Sequence, residues 1–100
     1  MLTKDEILNN LSTRKSYFEK KYHITKIGLF GSYSQGLESE SSDIDILVEF
    51  ESNTEDLFEL KKNLKNELSL LFGKAVDICR EKYIKPYFRK QILESAIYVN

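Results

Sequence analysis

The chain has 100 residues, 41% of them hydrophobic, with 15 Lys and Arg set against 16 Asp and Glu. That length predicts one domain over residues 1–100 with a core of few layers, and the near-cancelled charge excludes the broad positive field of a sequence-independent nucleic-acid binder. The single cysteine, Cys79, excludes an internal disulfide and a multi-cysteine zinc site.

Thr3 and Glu6 have capping-box spacing, and Ile7, Leu8, Leu11, Phe18 and Tyr22 recur at helical intervals, which predicts one helix to about Tyr22. Its start is charged where a signal peptide needs an apolar stretch, and no apolar run reaches membrane-spanning length, so a cytoplasmic protein without membrane contact is expected. Ile24 to Phe30 reads as a buried strand stopped by Gly31. Gly31 to Gly36 has room for a tight turn and one helical turn, extended by the polar segment Glu38 to Ser42. Ile44 to Phe50 is a second strand, and the polar loop Glu51 to Thr54 supplies capping residues for the next helix. Glu55 and Asp56 suit that helix's positive end. Leu57, Leu60, Leu64, Leu68 and Leu71 give it one buried face until Gly73, with Lys61, Lys62 and Lys65 on a solvated face. Ala75 to Cys79 is a short third strand, Pro86 opens a last helix to about Glu94, and Ile97 to Val99 form a brief terminal strand. The order predicts an α/β (α+β) sandwich: a small, mixed sheet of three or four strands flanked by helices.

The chemistry-bearing residues fall at the strand ends. Residues two apart in a strand face the same way, so Asp43 and Asp45 project together while Ile44, Ile46 and Val48 line the opposite face. Two adjacent carboxylates repel, and a divalent cation relieves that repulsion; hard oxygen ligands of this kind suit Mg²⁺. Asp77, with Val76 and Ile78 facing the other way in an apolar context, is a candidate third carboxylate. Gly31-Ser32 supplies the complementary half: glycine lets backbone N–H groups approach phosphates, and Ser32 adds a hydroxyl donor. A phosphate cradle facing carboxylates and metal is what phosphoryl or nucleotidyl transfer requires. Each part alone has a plainer reading. Gly-Ser is usually a turn, Asp-x-Asp a solvated strand entry, and Asp77 near Arg80 a surface ion pair of little value.

Gly31-Ser32 followed ten residues later by Asp43-Ile44-Asp45 resembles the hallmark of the DNA polymerase beta-like nucleotidyltransferase superfamily. Ile27 to Tyr33, Ser42 to Val48, Val76-Asp77-Ile78 and the ending Ile92 to Val99 extend the likeness along nearly the whole chain. It is most similar to the minimal nucleotidyltransferases that act as antitoxins of HEPN-type ribonuclease toxins. The resemblance implies the nucleotidyltransferase fold and two Mg²⁺ ions held by Asp43, Asp45 and Asp77. It also implies that Asp77 helps to activate the acceptor hydroxyl and that Gly31-Ser32 grip the triphosphate of ATP. AMP is then transferred to a tyrosine of the HEPN-type toxin, and pyrophosphate leaves. One departure stands out: Ser34-Gln35 occupy the places where the family often has Ala and then Arg or Lys, so a phosphate-contacting cation is missing. Two alternatives follow, an antitoxin that silences its partner by binding alone and a nucleotidyltransferase of a small molecule such as an aminoglycoside.

Three further features carry less chemistry. His23, the only histidine, is expected at a surface or capping position. Cys79 is expected to pack as a small hydrophobe. Tyr83, Tyr87 and Phe88 interleave with Lys82, Lys85, Arg89 and Lys90, a pattern able to stack on nucleic acid; at helical spacing they read first as core contacts with a solvated basic face, and a partner surface is the intermediate reading.

Overall fold

The computed structural model describes residues 2–100, in which the helices α1 (Lys4–Thr13) and α2 (Lys15–Tyr22) lead into strand β1 (Ile24–Phe30). The one-turn helix α3 (Gly31–Gln35), strand β2 (Ile44–Phe50), helix α4 (Leu57–Phe72) and strand β3 (Val76–Arg80) follow. A 3-10 turn over Glu81–Tyr83 then precedes helix α5 (Pro86–Ser95) and strand β4 (Ile97–Tyr98). The sheet order is β3-β2-β1-β4, with β1 antiparallel to β2 and β4, and β2 parallel to β3. This is the mixed sheet with flanking helices expected from the element order. The parallel pair has a helical crossover, α4, as a parallel connection demands.

One face of the sheet carries the main core. Ile27 and Leu29 of β1, Ile44, Ile46 and Val48 of β2, and Val76 and Ile78 of β3 pack with Ile7, Leu11 and Phe18 of α1 and α2 and with Leu64 and Leu68 of α4. Strict alternation is interrupted once, where the register with β2 slips between Ile24 and Lys26. The extra residue rephases the strand, so that Ile24 and Ile27 both reach the core although three positions apart. The other face holds Gly28, Asp45, Leu47 and Glu49. Leu47 is fully buried there, apart from the main core, and α5 packs at β1 and α3.

Several boundaries depart from the periodicity. The single first helix is two helices, broken at Arg14, whose φ of −102° and ψ of 7° leave the helical region. The side chain of Thr3 does cap α1, accepting from the Glu6 amide. Helix α4 starts without a side-chain cap: Asp56 precedes it in the left-handed region, and Thr54 instead closes its own turn by donating to the Glu51 carbonyl at 2.6 Å. Lys61, Lys62 and Lys65 are exposed, as the leucine spacing requires. His23 ends α2 at φ 59°, exposed, and its carbonyl accepts from the Glu51 amide at 2.8 Å. Cys79 is half-buried, and burial pushes its thiol up, which keeps it protonated and unreactive. Among the described residues no helix is long and apolar enough to cross a membrane.

Candidate active site

The last residue of β1, Phe30, pairs with Asp45 of β2, so the chain leaving β1 at Gly31 passes directly beside the Asp45 carboxylate. A Cβ on Gly31 would lie 2.2 Å from Asp45 Oδ2, and Gly31 has φ +74°. Space and backbone conformation therefore both require glycine here. The turn is held from within α3: Ser34 Oγ donates to the Gly31 carbonyl at 2.8 Å, and Gln35 Nε2 donates to the same carbonyl at 3.3 Å. Tyr33 is fully buried in the core and anchors the helix from below. Gln35, at the position where the resembling family often has a cation, thus turns its amide back onto its own helix.

The parallel register of β2 and β3 sets Asp45 opposite Asp77. Asp43 stands just before β2, and a serine turn fixes its approach: the Ser42 amide donates to the Ser39 carbonyl at 3.0 Å, and the Ser39 amide to Ser42 Oγ at 2.9 Å. Lys74 Nζ ties the same loop by donating to the Glu40 carbonyl at 2.7 Å, and the Ile44 amide donates to the Ala75 carbonyl. Ser39, Ser42 and Lys74 were not singled out by the motif. Serines three apart before the strand were their signal, the spacing at which a hydroxyl closes a turn on the backbone.

Asp43, Asp45 and Asp77 therefore gather at one end of the sheet, next to Gly31-Ser32. Burial raises the carboxyl of Asp45 above the usual carboxylate range, and the charges of Asp77 and then Asp43 push it the same way. This unrelieved repulsion, among hard oxygen donors, fits a divalent cation. Among the described residues no group of three His, Cys, Asp or Glu side chains is already arranged to hold a metal ion.

Two readings of Asp77 are corrected. The side chain is not in an apolar context: Asp77 is exposed, because β3 is an edge strand and Val76 and Ile78 alone turn inward. Nor does it pair with Arg80, whose guanidinium donates to Glu49 Oε1 from Nε at 2.9 Å and lies over the rings of Phe50 and Tyr83. Burial raises the Glu49 carboxyl, but the Arg80 hydrogen bonds and the Lys82 amide outweigh that and hold it below the usual range. That cluster belongs to the far end of β2 and β3. A cleft of about 560 Å³ opens there between Glu49, Arg80, Tyr83 and the Glu51–Thr54 loop.

Tyr83, Tyr87 and Phe88 are not core contacts: they are 65, 89 and 48% exposed. Nothing in α5 is fully buried.

Known proteins resemble the chain in sequence and in fold. The nucleotidyltransferase domain family matches residues 11–99. A Methanocaldococcus jannaschii protein, provisionally assigned as a protein adenylyltransferase, is 41% identical over 99% of this chain and all of its own length. The protein adenylyltransferase MntA of Thermococcus cleftensis is 35% identical over 99% of this chain and 98% of its own. A solved structure assigned provisionally as a minimal nucleotidyltransferase superposes with a TM-score of 0.70 at 32% identity, covering 90% of this chain and 93% of that one. A toxin-antitoxin structure with AMP-PNP shares the fold, with a TM-score of 0.67 at 22% identity over 87% of this chain and 70% of that one. From the family match and from relatives alike along almost their whole length, the chain belongs to the nucleotidyltransferase domain family.

Proposed function

We propose that the chain is a Mg²⁺-dependent protein adenylyltransferase that serves as the antitoxin of a HEPN-type toxin, moving AMP from ATP to a tyrosine hydroxyl of that partner. The observation that carries this reading is the contact of the Gly31 backbone with Asp45, which itself stands opposite Asp77. The names of the relatives, protein adenylyltransferases, support the reaction, and the fold shared with toxin-antitoxin structures supports the setting.

In this reading the first-turn amides of α3 and the Ser32 hydroxyl bind the triphosphate, since the first N–H groups of a helix have no partner within it. Asp43 and Asp45, with Asp77, hold two Mg²⁺ ions, which when bound neutralise phosphate charge and polarise the α-phosphate. Gly31 keeps the phosphate grip tight against Asp45, so that ATP and carboxylates share one position. Asp77, exposed on the edge strand, meets the acceptor tyrosine and takes the proton from its hydroxyl. The hydroxyl oxygen then bonds to the α-phosphorus as the bond from that phosphorus to the β-phosphate oxygen breaks, and pyrophosphate departs.

Incubation with ATP, Mg²⁺ and the protein encoded beside this chain's gene should add the mass of AMP to that protein, at a tyrosine located by peptide mass spectrometry. Neutralisation by wild type without any mass gain sinks this reading. A second reading, silencing by occlusion alone, rests on Gln35, which turns to the Gly31 carbonyl where the resembling family has a cation. It requires that Asp43→Asn with Asp45→Asn still protects cells from the toxin.

A further inference from the structure

Helix α5 and the turn before it contradict the behaviour of an ordinary surface helix. A ten-residue helix is marginal in water without an apolar face to bury, yet no residue of α5 is fully buried. Ile92 and Leu93 are only half-covered. Tyr87 and Phe88 project from its first turn as an edge-to-face pair with centroids 5.0 Å apart, and Tyr83 stands out just before them. Residues 82–93 contain Lys82, Lys85, Arg89 and Lys90 and no acidic residue, on a chain whose net charge is −1. Arg89 is engaged with Glu81. Among the described residues Lys82, Lys85 and Lys90 have no carboxylate within ion-pair distance.

We propose that the face formed by Lys82, Tyr83, Lys85, Tyr87, Phe88 and Lys90 is the docking surface for a protein partner that presents carboxylates around an apolar contact. Charge complementarity selects the partner's sign, and the aromatic rings select its apolar centre, since Tyr and Phe each bury a large area on contact. The surface also leads to the candidate active site. Helix α5 begins beyond the far end of β3, where the Glu81–Tyr83 turn hands over to Pro86; it packs at α3, which begins with Gly31-Ser32, and leads into β4, whose Ile97 pairs with Leu29 of β1. A partner lying along α5 therefore extends toward the Gly31-Ser32 end of the sheet. A nucleic acid fits less well. Tyr87 and Phe88 are packed against each other instead of standing as separate stacking platforms. The inference rests on the reading that the acceptor is a protein.

The test measures binding of the full chain to the protein encoded beside its gene, by interferometry, with transfer of AMP followed in parallel. Lys82→Glu with Lys85→Glu and Lys90→Glu should raise Kd on the order of 100-fold, chiefly through a slower association that in wild type falls as salt is added. Tyr87→Ser, at a position 89% exposed, should raise Kd about 10-fold and leave the melting curve of the free chain unchanged. Unchanged Kd in the triple variant overturns the docking surface, even if wild type transfers AMP. Patch-dependent binding with no transfer by wild type leaves the surface standing and defeats the adenylyltransferase reading instead. Absence of binding by wild type overturns the surface. So does binding of a single-stranded RNA oligonucleotide that the triple variant alone loses while its protein binding persists, which would make the patch a nucleic-acid site.

Discussion

At Gly31 one methyl group would occupy the place of a carboxylate oxygen. Gly31→Ala combines a collision with Asp45 Oδ2 and a left-handed φ of +74°, so it is expected to destabilise the chain by about 1–3 kcal/mol. AMP transfer should fall on the order of 100-fold, because a small displacement of the phosphate grip disrupts the alignment of the reacting atoms; single-turnover kinetics on the folded fraction checks it. Asp45→Asn should behave in the opposite way in the two assays. The folded chain holds Asp45 at a raised pKa, so it binds a proton more readily than the unfolded chain does. Deprotonation at neutral pH therefore costs stability, and that cost disappears as pH falls through the raised value toward the unfolded one. Without metal, Asp45→Asn should melt higher than wild type at pH 7, with the difference closing in acid, while transfer is lost. The identity of these residues was legible because Gly-Ser and Asp-x-Asp have fixed spacing. That Asp77 is exposed was not: apolar neighbours in sequence say which way they turn, and only the sheet order says that, among the described residues, no strand lies beyond β3.

Strands and helices were legible wherever one face is buried, and illegible where backbone geometry changes without a change of composition. The leucines of α4 announced its length, but the break at Arg14 is a matter of two dihedral angles inside an uninterrupted apolar pattern. Strand β4 is legible only weakly, with two residues, and depends on a glycine that periodicity does not explain. A Cβ at Gly28 would stand 2.9 Å from the Ile97 carbonyl oxygen and 2.9 Å from Tyr98 Cδ1, so Gly28 is what lets β4 close on β1. Gly28→Ala should detach the C-terminal strand at a cost of about 1–3 kcal/mol. Limited proteolysis would show new cleavage after residue 95, and full resistance like that of wild type would count against this account. Tyr98 adds to the same attachment, since its hydroxyl donates to Glu81 at 2.6 Å.

For the whole molecule, the near-zero net charge conceals a positive α5 end and a negative aspartate end. The aspartate end should respond to metal. Mg²⁺ at about 100 times its Kd should stabilise the folded chain by about 2.7 kcal/mol, seen as a rise in Tm that Asp43→Asn with Asp45→Asn abolishes. An equal rise in that double variant would place the metal elsewhere. The edge position of Asp77 has one further consequence. Among the described residues β3 is the last strand on its side of the sheet, so the sheet itself builds no wall beyond Asp77. In the proposed reaction, the edge of the sheet then does not sort acceptors by size. Under the proposed function, selectivity comes from address, the place along the surface where a partner is parked, and a hydroxyl carried to that edge by another tethered protein should be modified too.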